Sequence, residues 1–82
     1  GAAEGDLPAA EAGFARAIEI FRQFSLPWDE ADALLLWGRS LGQAGEPTRA
    51  IERFDNALSV YDRCGAGPTW RDRVQRERSS IG

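Results

Sequence analysis

Ala10-Glu11-Ala12-Gly13-Phe14-Ala15-Arg16-Ala17-Ile18-Glu19-Ile20-Phe21 and Ala50-Ile51-Glu52-Arg53-Phe54-Asp55-Asn56-Ala57-Leu58-Ser59-Val60-Tyr61 are one pattern written twice, 40 residues apart. Alanine falls on alanine at 10/50 and 17/57, and phenylalanine on phenylalanine at 14/54. Ile18 meets Leu58, Ile20 meets Val60, and Phe21 meets Tyr61. The register extends upstream, where Gly5-Asp6 lies over Gly45-Glu46; downstream, Pro27-Trp28 matches Trp70 at an offset of 42. Self-similarity at such a period is the mark of a repeat architecture.

Inside each copy the apolar positions advance by three and four, which is helical spacing and not strand alternation. Small alanines alternate with aromatics on this stripe, so a neighbouring helix can approach at the alanines and lock against the rings. Asp6 and Pro8 read as a helix start, aspartate capping free N–H groups and proline fitting the first turn. Glu46-Pro47 repeats that start in the second copy. A helix between them is opened by Pro27, has Asp29 and Glu30 near its positive end, and is closed by Gly45. A fourth follows the Gly65-Ala66-Gly67-Pro68 break. The expected fold is therefore all-α, with helices over about 7–24, 28–44, 47–63 and 69–79 arranged as antiparallel hairpins in one domain spanning 1–82.

Leu34-x-x-Trp37-Gly38-x-x-Leu41 followed by Ala50-x-x-x-Phe54-x-x-Ala57 resembles the tetratricopeptide repeat. The resemblance covers residues 31–62, with residues 5–30 as a further half-repeat. It implies a superhelical stack of hairpins in which Gly38, Ala50 and Ala57 mark close helix crossings and Phe54 wedges between repeats. Trp37 stands where the family has leucine, Asp62 where it has proline, and the period exceeds the family's. Long repeats of this kind are similar to those of bacterial LuxR-type regulators and cyclase-linked ATPases. The resemblance thus implies a protein-binding scaffold, part of an array in a larger bacterial regulatory protein concerned with signalling or transcription.

Composition agrees with a folded chain: 43% apolar and 28% charged residues over 82 positions, room for a single core. The longest apolar run, Ala33 to Trp37, is far short of the roughly 20 residues needed to cross a bilayer. No secretory signal opens the chain, so a cytoplasmic setting is expected. The absence of an initiating methionine suggests a piece of a longer protein. All ten basic residues are arginine, a usage associated with GC-rich bacterial genomes.

At 100° per residue the middle helix presents Leu34, Trp37, Gly38 and Leu41 on one side. Asp32, Leu35, Leu36, Arg39 and Gln43 lie on the other, which the resemblance implies is the groove-lining, protein-binding face. Leu36 is apolar on an otherwise polar stretch, whereas Leu35 is expected to turn toward the next helix. Arg39 is the one candidate for the carboxylate clamp of chaperone-binding members, and the chain has no lysine, so that ligand class is not expected. The first helix has no helix before it, and Phe14, Ile18, Ile20, Phe21 and Phe24 are read as a surface for self-association, giving a homodimer.

Other chemistries find little footing. With no histidine, no phosphate loop and acidic residues gathered only at Asp29, Glu30 and Asp32, neither catalysis nor a metal or other cofactor is expected. Cys64 has no partner for a disulfide and sits at a helix C-terminus, where the dipole opposes thiolate formation. Charge is uneven: up to Trp70 there are 11 acidic and 6 basic groups, and beyond it 2 and 4. Trp70, Arg71, Arg73, Arg76 and Arg78 form the alternative reading, an arginine-rich tail touching nucleic acid in a transcription regulator. The net charge of −3 disfavours it.

Overall fold

The computed structural model describes residues 2–81, with side chains from Leu7 onward. It is all-helical: α1 Ala2–Gln23, α2 Pro27–Gln43, α3 Pro47–Cys64 and α4 Pro68–Ile81. One expected boundary is corrected, because α1 begins at Ala2 and carries Pro8 within it rather than starting at Asp6. Proline forfeits a single intrahelical hydrogen bond there, and the alanine-rich lead has the helix propensity to continue upstream of it.

The three interhelical turns are built alike and stand at a 20-residue interval. Ser25, Gly45 and Gly65 each take a left-handed conformation, with φ of 54°, 81° and 73°. The next residue then reaches back to close the preceding helix. Leu26 N–H donates to Phe21 O at 2.7 Å, Glu46 to Leu41 O at 2.9 Å, and Ala66 to Tyr61 O at 2.9 Å. This is the Schellman closure, which satisfies the last free carbonyls of a helix. Pro27, Pro47 and Pro68 open the next helices, where a missing N–H costs nothing. Such turns send consecutive helices back antiparallel.

Each helix packs on its neighbours in the chain, and α4 also touches α2. Among the described residues, the backbone of α1 stays clear of both α3 and α4. The result is a slab of 38 × 29 × 15 Å, open at both flanks rather than a closed bundle. Helices two apart run parallel: Glu11 pairs with Arg49, Arg39 with Glu77, and Trp28 contacts Trp70.

Burial follows from that order. Helix α3 is covered by α2 on one side and α4 on the other, so Ala50, Phe54, Ala57, Val60 and Tyr61 are all 2% exposed or less. Among the described residues, the backbone of α1 has only α2 packed against it. Of its repeat stripe, Ile18 is buried, Phe14, Ala17 and Phe21 are half-buried, and Ala10 is exposed. The α2–α3 crossing is tight at Gly38, where a Cβ would lie 2.6 Å from Phe54 Cε1.

Among the described residues one carboxylate is buried. Glu30, in the first turn of α2, is 3% exposed and binds Arg22 Nε of α1 at 2.8 Å, with Arg63 of α3 at 3.6 Å. It therefore ties three helices at one point, while both guanidinium groups keep access to water.

Candidate functional site

The α2/α4 face is built from one stripe on each helix. Trp28, Asp32, Leu36, Arg39 and Gln43 fall within about 80° of arc on α2. Arg39 Nη2 donates to Glu77 Oε1 of α4 at 2.6 Å, and this bond, with the Glu77 charge, raises the Arg39 pKa above its usual value. The two helices are thereby held side by side with their outer residues in one surface. Lower down, Ile81 of α4 sits against Gly42, so a small residue on α2 allows the approach.

At the other end three rings meet. Trp28 and Trp70 contact edge-to-face at 5.3 Å and 69°, and both lie against Tyr61, at 5.9 and 6.0 Å. Tyr61 is buried beneath, whereas Trp28 and Trp70 remain 45% and 38% exposed. Arg73 covers part of the Trp70 ring at 5.9 Å. Indole rings held by neighbours present apolar surface with little side-chain freedom left to lose on binding. With Leu36, at 42% exposure, they make the apolar part of an otherwise charged face.

Of the five residues read from sequence as groove-lining, Asp32, Leu36 and Gln43 are exposed on this face and Arg39 is partly covered by its pairing. Leu35 is corrected. It is 1% exposed, because its angle on α2 carries it past Trp28 into the core. Trp28 and Trp70 join the face although sequence reasoning had left them out. The available signal was the four-residue step from Trp28 to Asp32, together with the match of Trp28 to Trp70 across the repeat.

The proposed self-association surface is also redrawn. Ile18 is buried at 5% exposure, Phe14 stacks on Trp37 at 6.0 Å, and Phe21 packs on the core. Ile20 and Phe24 stay exposed, at 42% and 66%, as does Leu26 at 41%.

The arginine-rich helix is partly neutralised in place. Arg71 pairs with Asp62 and Arg78 with Asp55 at 3.1 Å. The Cys64 thiol points back to Tyr61 O at 3.6 Å and is half-buried. Among the described residues no three His, Cys, Asp or Glu side chains assemble into a metal-binding group, and no helix is long and apolar enough to cross a membrane.

No family model, curated protein or solved structure matches the chain. Function therefore rests on the geometry above.

Tyr61 provides a direct check on the aromatic end. Burial, followed by the nearby negative charge of Asp32, pushes its pKa above the ordinary value of 10.0. A raised pKa favours the neutral phenol in the folded state, so this contribution to stability is intact below about pH 10 and is lost as pH climbs through the folded-state pKa. The chain has one tyrosine. Ultraviolet titration of the phenolate should therefore give a single midpoint above that of the urea-unfolded chain. Coincident midpoints would place Tyr61 in solvent.

Proposed function

We propose that this chain is a tetratricopeptide-like protein-interaction scaffold, part of a helical array in a larger cytoplasmic regulatory protein, and that it holds a partner segment along the α2/α4 face. Its role is binding and not catalysis. The observation that carries the reading is the row of exposed apolar side chains, Trp28, Leu36 and Trp70, set among Asp32, Arg39 and Gln43 on two helices locked side by side. Exposed large apolar groups on a polar face mark contact sites more often when they are contiguous and backed by rigid structure. Open flanks on α1 and α4 suit a stack whose further repeats would cover them.

Self-association through α1 is the second reading, now resting on Ile20, Phe24 and Leu26. Nucleic-acid contact through α4 is weaker, since Arg71 and Arg78 already hold carboxylates of the same chain.

The test is site-specific photo-crosslinking in the parent protein, with benzoylphenylalanine placed at Leu36, at Trp28 and, as control, at exposed Ser79. Heterologous or interdomain products concentrated at Leu36 and Trp28 are the expected outcome. Equal yields at Ser79 would remove the α2/α4 face as the binding surface, and products confined to copies of the same chain would favour self-association.

A further inference from the structure

On the opposite side of the slab, α1 and α3 run parallel with an open groove of about 690 Å³ between them, floored by Leu34 and Trp37 of α2. Both ends of this groove are tied by a carboxylate. At one end Glu11 accepts from Trp37 Nε1 at 3.1 Å and from Arg49. At the other, Glu30 holds Arg22 and Arg63. Each tie follows one rule, an acidic side chain bridging cationic or indole donors on two helices.

Between these ties the groove carries more donors than acid. Arg16 and Glu19 from α1 and Arg53 and Asn56 from α3 line it. The Arg53 guanidinium lies on the Trp37 ring at 4.5 Å, which fixes its position, and its nearest carboxylate, exposed Glu52, stays at 3.8 Å, beyond hydrogen-bond reach. Its Nε is buried with no hydrogen-bond partner. Among the described residues Arg16 has no ion pair, and the pair of Arg53 with Glu52 is long. Two arginines and an amide against the single carboxylate of Glu19, over an apolar floor, leave a local excess of positive charge in a chain whose net charge is −3.

We infer that the α1/α3 groove is a second docking site, whose occupant is an acidic segment of a partner polypeptide that places a carboxylate between Arg16 and Arg53 and apolar side chains over Ile18 and Trp37. Arginine favours this ligand because its fork accepts a carboxylate with two parallel hydrogen bonds, and partial enclosure strengthens them. The ring beneath Arg53 holds the fork in place, so less freedom is lost on binding. The inference does not depend on the α2/α4 face, which lies on the other side of the slab.

Fluorescence polarisation with a labelled peptide alternating glutamate and leucine tests it at low ionic strength. Saturable binding to the unmodified chain is expected, with no binding of the lysine–leucine counterpart. Arg16→Gln/Arg53→Gln should weaken binding by about tenfold or more, while Arg73→Gln/Arg76→Gln on α4 leaves it unchanged. Ala15→Glu guards against misfolding of the double variant, since it adds a carboxylate to the groove wall from an exposed position and should block the peptide equally. Absence of binding at millimolar peptide, equal loss in the α4 variant, or full binding to Ala15→Glu would each overturn the inference.

Discussion

Gly38→Ala lowers stability by about 1–3 kcal/mol, and Gly38→Leu separates α2 from α3 altogether. The sign is the informative part. An exposed glycine inside a helix gains up to about 1 kcal/mol when replaced by alanine, because alanine has the higher helix propensity. Gly13 fits that case, having nothing within 4 Å of its Cβ position, and Gly13→Ala is the control. At Gly38 the added carbon would stand 2.6 and 2.8 Å from two atoms of the Phe54 ring. The ring has no room to withdraw. It is fully buried, and so are Leu41, Ala50 and Ala57 of the same core. Phe54→Leu in the Gly38→Ala background should recover part of the loss, since a smaller side chain relieves the clash that the first change created. Urea midpoints of the unmodified chain, Gly38→Ala, Phe54→Leu and the double variant give the coupling directly. Gly38→Ala as stabilising as Gly13→Ala would show that the two helices do not cross there.

The helices were legible because two physical signals agree in the chain: three-and-four spacing of apolar residues, and proline or glycine at every junction. The α1 start was misread because Asp6 and Pro8 form a start signal that nothing local overrules. What decides the outcome is the helix propensity of the alanines upstream. Burial was legible only for helices with neighbours on both sides. Phe14 and Phe54 occupy equivalent positions in the repeat, yet one is half-buried and the other fully so, because α3 lies between α2 and α4 while α1 has one neighbour. Periodicity reports which side of a helix is apolar and is silent on how many helices will cover it.

The candidate faces were legible to the extent that a wheel on one helix can show them. Asp32, Leu36 and Gln43 were found this way. Ile18 was misplaced, and Leu35 was grouped with the groove face despite its expected turn toward the next helix; each lies at the edge of a stripe, where a shift of one side chain decides between core and surface. Pairings between helices were out of reach: Arg39 with Glu77 and Glu11 with Arg49 join residues 38 positions apart. The substitution of Trp37 for the leucine of the resembled family acquires a reason only in three dimensions. Its ring stacks on Phe14, donates to Glu11 and supports Arg53, so one side chain of α2 organises the floor between α1 and α3.

Val74→Asp undocks α4 and lowers stability by about 3 kcal/mol. Val74 is the one residue of α4 that is fully buried, and Ile81 and Trp70, the other large apolar groups of the helix, are only partly covered. Burying a valine contributes roughly 1.5–3 kcal/mol. The pairs Arg71–Asp62 and Arg78–Asp55 join exposed groups and add little, since solvent screens them. An aspartate at 74 would have to enter an apolar site without a partner, at a cost exceeding what docking supplies, so the helix leaves the slab instead. Its departure uncovers Tyr61 and one side of Trp28, which widens the apolar surface and should increase binding of a hydrophobic dye. Loss should be confined to this end of the molecule, because α1 contacts α2 and not α4. Hydrogen exchange makes the distinction: amides of α4 lose protection in Val74→Asp while those in the middle of α2 keep most of theirs. A chain truncated after Gly67 should match the variant in midpoint and dye binding. Gln75→Asp, at the neighbouring exposed position, should leave both unchanged. If Val74→Asp is no less stable than Gln75→Asp, α4 is not held by its apolar contact, and the pairing of Trp28 with Trp70 on the proposed binding face loses its support.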